Sequence, residues 1–132
     1  AGSENSVEIH SVTLSQKSEG SELELLDLRL SRVTGAFTSG SGGSTVTPVK
    51  LNHRSASASS SVEINNDTVI SGGTQEDIHV ESGQIVGGIC FEYRPAPEDR
   101  PSCGPTDAFV LALDSAPSDS ITFDLTVVFA EK

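Results

Sequence analysis

Residues 121–129 read Ile-Thr-Phe-Asp-Leu-Thr-Val-Val-Phe, and their alternation decides the fold class. Ile121, Phe123, Leu125, Val127 and Phe129 share one parity, while Thr122, Asp124, Thr126 and Val128 share the other. Successive side chains of a β-strand point to opposite faces, so this run has one apolar face and one mostly polar face. That is the pattern of an antiparallel strand packed on a core from one side. Phe109, Leu111 and Leu113 repeat the pattern upstream. Asp114, Ser115, Ala116, Pro117, Ser118 and Asp119 lie between and supply turn chemistry, which leaves open a hairpin or an arch from one sheet to another.

Toward the N-terminus the alternation slips. Val7 and Ile9 lie on one parity and Val12 and Leu14 on the other, and Leu23 and Leu25 are out of step with Leu26, Leu28 and Leu30. A strand that changes face mid-run contains a bulge or passes between sheets. A short helix is the competing reading of residues 23–33, but Asp27 and Arg29 alternate with the leucines and favour a strand. Residues 34–61 then turn to Gly, Ser, Thr and Ala, broken only by Phe37, Val46, Pro48, Val49, Lys50, Leu51, Asn52, His53 and Arg54, and read as a long excursion. Val62 and Ile64 form a short strand ahead of the turn signal Asn65-Asn66-Asp67, and Gly72-Gly73 marks a further turn before Ile78 and Val80. Residues 84–94 are strand-like again, with Ile85, Ile89, Phe91 and Tyr93 on one face. The prolines at 95, 97, 101 and 105 exclude a central strand from Arg94–Pro105 and make that segment stiff.

These runs predict an all-β chain of about eight short strands, a single-domain antiparallel β-sandwich, jelly-roll-like ahead of immunoglobulin-like. The 132 residues make one domain. Residues 1–6, small and polar, are read as an arm.

The chain carries 19 acidic against 8 basic residues, a formal net charge of -11. Phosphate-backbone binding needs clustered Lys and Arg, so nucleic acid is excluded as a partner. Acidity serves solubility, or complements a basic surface; both readings stand. No apolar run is long enough to span a membrane, and residues 1–4 lack the blocks of a signal peptide. A secreted product shorn of its leader and a cytosolic product fit equally.

The search for chemistry returns no catalytic, cofactor or metal residue. His10, His53 and His79 are dispersed, and the pairs Glu76-Asp77 and Glu98-Asp99 lack the spacing of a calcium loop or a glycosidase dyad. No serine lies in a nucleophile elbow, and SGSGGS at 39–44 lacks the basic residue and following helix of a phosphate loop. Asn66-Asp67-Thr68 is formally a glycosylation sequon. Cys90 and Cys103 are either a disulfide stapling the Pro-rich loop to a strand, or two free thiols. Arg94 and Arg100 flank Glu98 and Asp99 and form either a self-satisfied charge cluster or the rim of an interface.

The segments LELLDLRLSR, SGSGGSTVTPVKLN, NNDTVISGGT, FEYRPAPEDRP and ITFDLTVVFAE, in that order over Leu23–Glu131, resemble small virion structural proteins of tailed bacteriophages. The resemblance implies a capsid decoration, or cement, protein. Such a protein is a non-enzymatic β-rich module on the outside of an assembled shell, commonly a homotrimer, whose partner is the major capsid protein. It would be assembled in the host cytoplasm, and it needs no cofactor. The expected contacts to shell and neighbouring subunit are Ser39, Gly40, Gly43, Thr47 and Pro48 of the excursion and Arg94, Pro95, Pro97 and Arg100 of the Pro-rich loop. The cysteines depart from the family pattern. A carbohydrate-binding or adhesive sandwich, such as a fibre or lectin-like domain, is the alternative, weakened by one Tyr and no Trp.

Overall fold

The computed structural model describes residues 5–17, 25–84, 88–118 and 120–132. Among the described residues there are nine strands: β1 (Val7–Gln16), β2 (Leu25–Thr38), β3 (Ser44–Val46), β4 (Val62–Ile64), β5 (Ser71–Gln84), β6 (Gly88–Tyr93), β7 (Ser102–Cys103), β8 (Ala108–Leu113) and β9 (Phe123–Glu131). All pairings are antiparallel. In the first sheet β1 is central, with β9 along one side and β6 and β7 along the other. In the second, β2 lies between β5 and β8. Pairing β1 with β9 and β2 with β8 nests the chain first with last and second with next to last, as in a jelly roll. The segment joining β8 to β9 is thus an arch between sheets, which settles the choice left open by the sequence.

The core is where β1 lies over β2. Val7, Ile9, Val12 and Leu14 meet Leu28, Leu30, Phe91 and Cys103, with Phe109, Leu111, Phe123 and Phe129 packed against them. Each fully buried aliphatic or aromatic side chain there contributes roughly 1.5–3 kcal/mol. The parity slip in β1 is a bulge. Ile9 pairs with Phe129 and Ser11 with Val128, so His10 is the extra residue, and the inward face moves from Val7 and Ile9 to Val12 and Leu14. In β2 the shift falls at Leu30/Ser31, later than the leucine pattern suggests; Leu25 is an exposed residue of the same strand as Leu26. Ser31, 1 % exposed, survives in the interior because its hydroxyl donates to Asp77 (3.0 Å) and accepts from the Gln75 amide (3.1 Å).

One expectation is corrected. Gly72-Gly73 is not a turn between strands; both lie inside β5, opposite the second register shift of β2, between Thr34 and Phe37. Gly35, Gly72 and Gly73 adopt φ of 81°, 77° and 68°, left-handed values that let both strands bend at one level without strain. The excursion at residues 34–61, for its part, contains regular pairing that its composition does not announce. β2 continues to Thr38, Ser41 bridges Thr68, and β3 pairs with β4. From Leu25 opposite Gln84 to Val46 opposite Val62 the chain is one antiparallel ribbon whose inner half belongs to the sandwich and whose outer half leaves it. Of the expected N-terminal arm, residues 1–4 lie outside the described residues. Ser6 is tied into the β1–β9 ladder by reciprocal backbone bonds with Lys132, both 2.9 Å.

Candidate interface at the ribbon apex and the open side of the sandwich

The outer ribbon is built for close backbone approach. A methyl group on Gly43 would sit 2.1 Å from the Ile64 carbonyl oxygen, and one on Gly40 would sit 2.4 Å from that of Thr68. Glycine is therefore required at both positions by the ribbon itself, not by an outside partner. The Ser41 carbonyl accepts from Asp67 N (2.8 Å) and Thr68 N (3.1 Å), and Ser41 N donates to Thr68 Oγ1 (2.8 Å). Backbone pairing thus replaces side-chain burial as the organising force. Ser39 lies at the base of this segment, and Thr47 and Pro48 open the apex.

The apex, residues 47–61, turns at Asn52, whose side-chain oxygen accepts from Arg54 N (3.1 Å) and whose carbonyl accepts from Ser55 N (3.0 Å). It then returns to the sandwich and is clasped there. Glu131 at the end of β9 accepts from Ser59 N (2.9 Å), Ser59 Oγ (3.2 Å), Ser60 N (2.6 Å) and Ser60 Oγ (2.5 Å). These four donors, the Ser60 hydroxyl first among them, hold its carboxyl down to about 2.

Between apex and sandwich lies a cleft of about 1050 Å³. Its position follows from the topology. β5 and β6 approach each other on one side of the sandwich, and the cleft opens on the opposite side, between the edge strands β8 and β9. Phe109, Leu111, Leu125 and Val127 form its sandwich wall, and Val46, Val49, Leu51 and Ile64 its ribbon wall. Leu125 and Val127 are 42 % and 40 % exposed although they sit on the apolar parity of β9. The inner face of the strand that decided the fold is covered only at Phe123 and Phe129.

The Pro-rich loop lies along the other edge of the first sheet, where β6 and β7 flank β1. It contains one 3-10 turn, Pro97–Asp99, and its Pro101 carbonyl accepts from Ile9 N (3.0 Å). Arg94 pairs with Glu92 (2.6 Å) and Arg100 approaches Glu8 (3.9 Å), so neither cation serves Glu98 or Asp99. The self-satisfied charge cluster is absent. The structure therefore does not bring the two expected contact segments together: Thr47 and Pro48 border the cleft beside β9, and Arg94, Pro95, Pro97 and Arg100 lie across the sheet from it.

Of the two readings left open for the cysteines, the free thiol holds at Cys103. Cys103 is a free buried thiol, pushed up by desolvation, and it pairs with Val7 at the start of β1. Cys90 lies in the bulge between Phe91 and Ile89, which pair with Leu14 and Ser15 near the other end of β1. Seven residues of strand separate these positions, roughly 23 Å at 3.3 Å per residue, against the 4.4–6.8 Å a disulfide spans. His10 and His79 contact Glu8 and Glu81, each at 3.0 Å, and the His79 ring packs on Phe91 and Tyr93. Among the described residues no group of three potential metal ligands converges, and no helix is long and apolar enough to cross a membrane.

No family model, curated protein or solved structure matches the chain. What sequence reasoning missed is the charge of the apex: residues 34–61 contain Lys50 and Arg54 and no acidic residue, in a chain with 19 acids. That contrast was visible in the sequence.

Proposed function

We propose that the protein is a non-enzymatic structural module that binds and reinforces the outer surface of an assembled bacteriophage shell. The observation that carries this reading is the ribbon. A rigid sandwich extends two paired strands and sets at their end a clasped loop bearing Val49 and Leu51, 88 % and 85 % exposed. Aliphatic side chains held out of a core on an ordered support suit an interaction surface. The Pro-rich loop adds a second stiff surface that loses little conformational entropy on docking. The resemblance of residues 23–131 to small phage virion proteins supplies the partner, the major capsid protein.

The test is co-sedimentation with empty shells. Saturable binding at a fixed copy number per shell is expected. A variant in which Asn-Gly replaces residues 47–61, closing the ribbon between Val46 and Val62 with a two-residue turn, should keep its circular dichroism spectrum and lose shell binding. Absence of binding by the intact chain, or binding to glycans in its place, would refute the proposal.

A further inference from the structure

Among the described residues, six of the eight Lys and Arg residues lie within 4 Å of a carboxylate: Lys17, Arg29, Arg32, Arg94, Arg100 and Lys132. The two that do not are Lys50 and Arg54, both on the apex, interleaved with the exposed Val49 and Leu51. The apex is thus an apolar surface with two uncompensated positive charges on a chain of net charge -11. The complementary surface is present on the same molecule. Glu98 and Asp99 are exposed at the tip of the Pro-rich loop, with no cation paired to either, between Pro95, Pro97 and Pro101. The two surfaces lie on opposite sides of β1 within the first sheet, so within this fold they do not meet in one chain.

We propose that the Pro-rich loop of a second copy of this chain enters the cleft between the ribbon apex and β9. Its prolines would lie against Leu125 and Val127, and its Glu98 and Asp99 would meet Lys50 and Arg54. Three physical points carry this. The charges are opposite and both unneutralised in the single chain, which favours the pairing and speeds encounter. The loop is stiffened by proline and anchored at Pro101, so it pays little ordering entropy on insertion. The cleft wall is the uncovered apolar face of β9, an edge strand that a neighbouring copy would cover. Plug and socket differ and sit on opposite edges, so the contact is heterologous. Each copy gives its loop to one neighbour and receives a loop from another, and the set closes as a ring or extends as a filament.

The experiment uses the intact chain in the absence of shells, so its failure and that of the shell reading are separable. Sedimentation equilibrium should show self-association that weakens as salt rises. Lys50→Glu with Arg54→Glu, and separately Glu98→Lys with Asp99→Lys, should each raise the dissociation constant by about tenfold or more. All four positions are exposed, and unchanged circular dichroism spectra establish that the variants fold. Mixing the two double variants in equal amounts should restore association, because every contact between unlike variants then pairs opposite charges. A chain that stays monomeric at all concentrations, double variants that associate like the parent, or a mixture no stronger than its components would each overturn the proposal.

Discussion

Val33 lies in the inner half of the ribbon and Val49 on its apex, and whereas Val33 has no exposed surface, Val49 is 88 % exposed. The inner half of the ribbon is specified by burial: Leu26, Leu28, Leu30 and Val33 cannot shift register without moving an apolar side chain into water. The outer half is specified by backbone pairing and by glycines whose neighbours leave no room for a side chain. One antiparallel ladder is thus held by two different forces, and substitutions should separate them.

The largest effect belongs to the sandwich. Phe91→Ala should destabilise the fold by about 3–5 kcal/mol, because the ring is 1 % exposed and a cavity would remain, whereas Leu51→Ala on the apex should stay within about 0.5 kcal/mol. Denaturant unfolding of both variants checks the contrast, and equal losses would break it. Next comes the shaft of the ribbon. Gly43→Val forces a side chain against the Ile64 carbonyl, an overpacking cost of about 1–3 kcal/mol. Hydrogen exchange should accelerate in β3 and β4, with little change in β1 and β9.

The clasp is smaller and titrates. The Glu131 carboxyl is depressed from 4.5 to about 2, chiefly by the Ser60 hydroxyl and the Ser59 amide. A folded-state value below the unfolded one contributes stability that is fully present above about 4.5 and is lost as pH falls toward about 2. Protection of the Ser59 and Ser60 amides, relative to their intrinsic exchange rates, should be lost across that window in the parent chain and be low at neutral pH in Glu131→Gln. The smallest effect is on the outer face of the second sheet, where Arg29 ties β2 to both neighbours through Asp77 and a two-pronged contact with Asp114 at 3.0 and 2.8 Å. Its guanidinium is raised, first by Asp114, but it is partly exposed. Arg29→Met should therefore lower the denaturation midpoint only slightly, by an amount that diminishes as salt is added.

The same contrast marks how much was legible in the sequence. Strands with an apolar face print their period, so β1, β8 and β9 were readable; the slip in β1 was visible because Val7, Ile9, Val12 and Leu14 all had to reach one core, but its resolution as a bulge at His10 needed the register. The outer ribbon prints no period. Gly40, Gly42, Gly43 and the serines around them have little side chain to alternate, and their order comes from carbonyl and amide groups common to every sequence. Gly72-Gly73 failed for a related reason: left-handed glycines mark a bend inside a ladder as readily as a turn. The choice between a disulfide and free thiols needed a register, and register across sheets is not written in spacing alone. In the shaft, Gly40 and Gly43 are explained by close backbone approach within the ribbon. The positions at its end, Thr47 and Pro48, border the cleft.

The nesting of β1 with β9 has a kinetic consequence. Val7 opposite Glu131 joins residues more than a hundred positions apart, whereas Val46 opposite Val62 closes a short loop. Loop-closure entropy has to be met before distant pairs reward it, so the ribbon should form early and the first sheet late, with overall folding in the milliseconds-to-seconds range of non-local β proteins. Until the first sheet closes over the second, the inward faces of β1 and β2 lie uncovered, and a chain caught in that interval is the species most prone to aggregate.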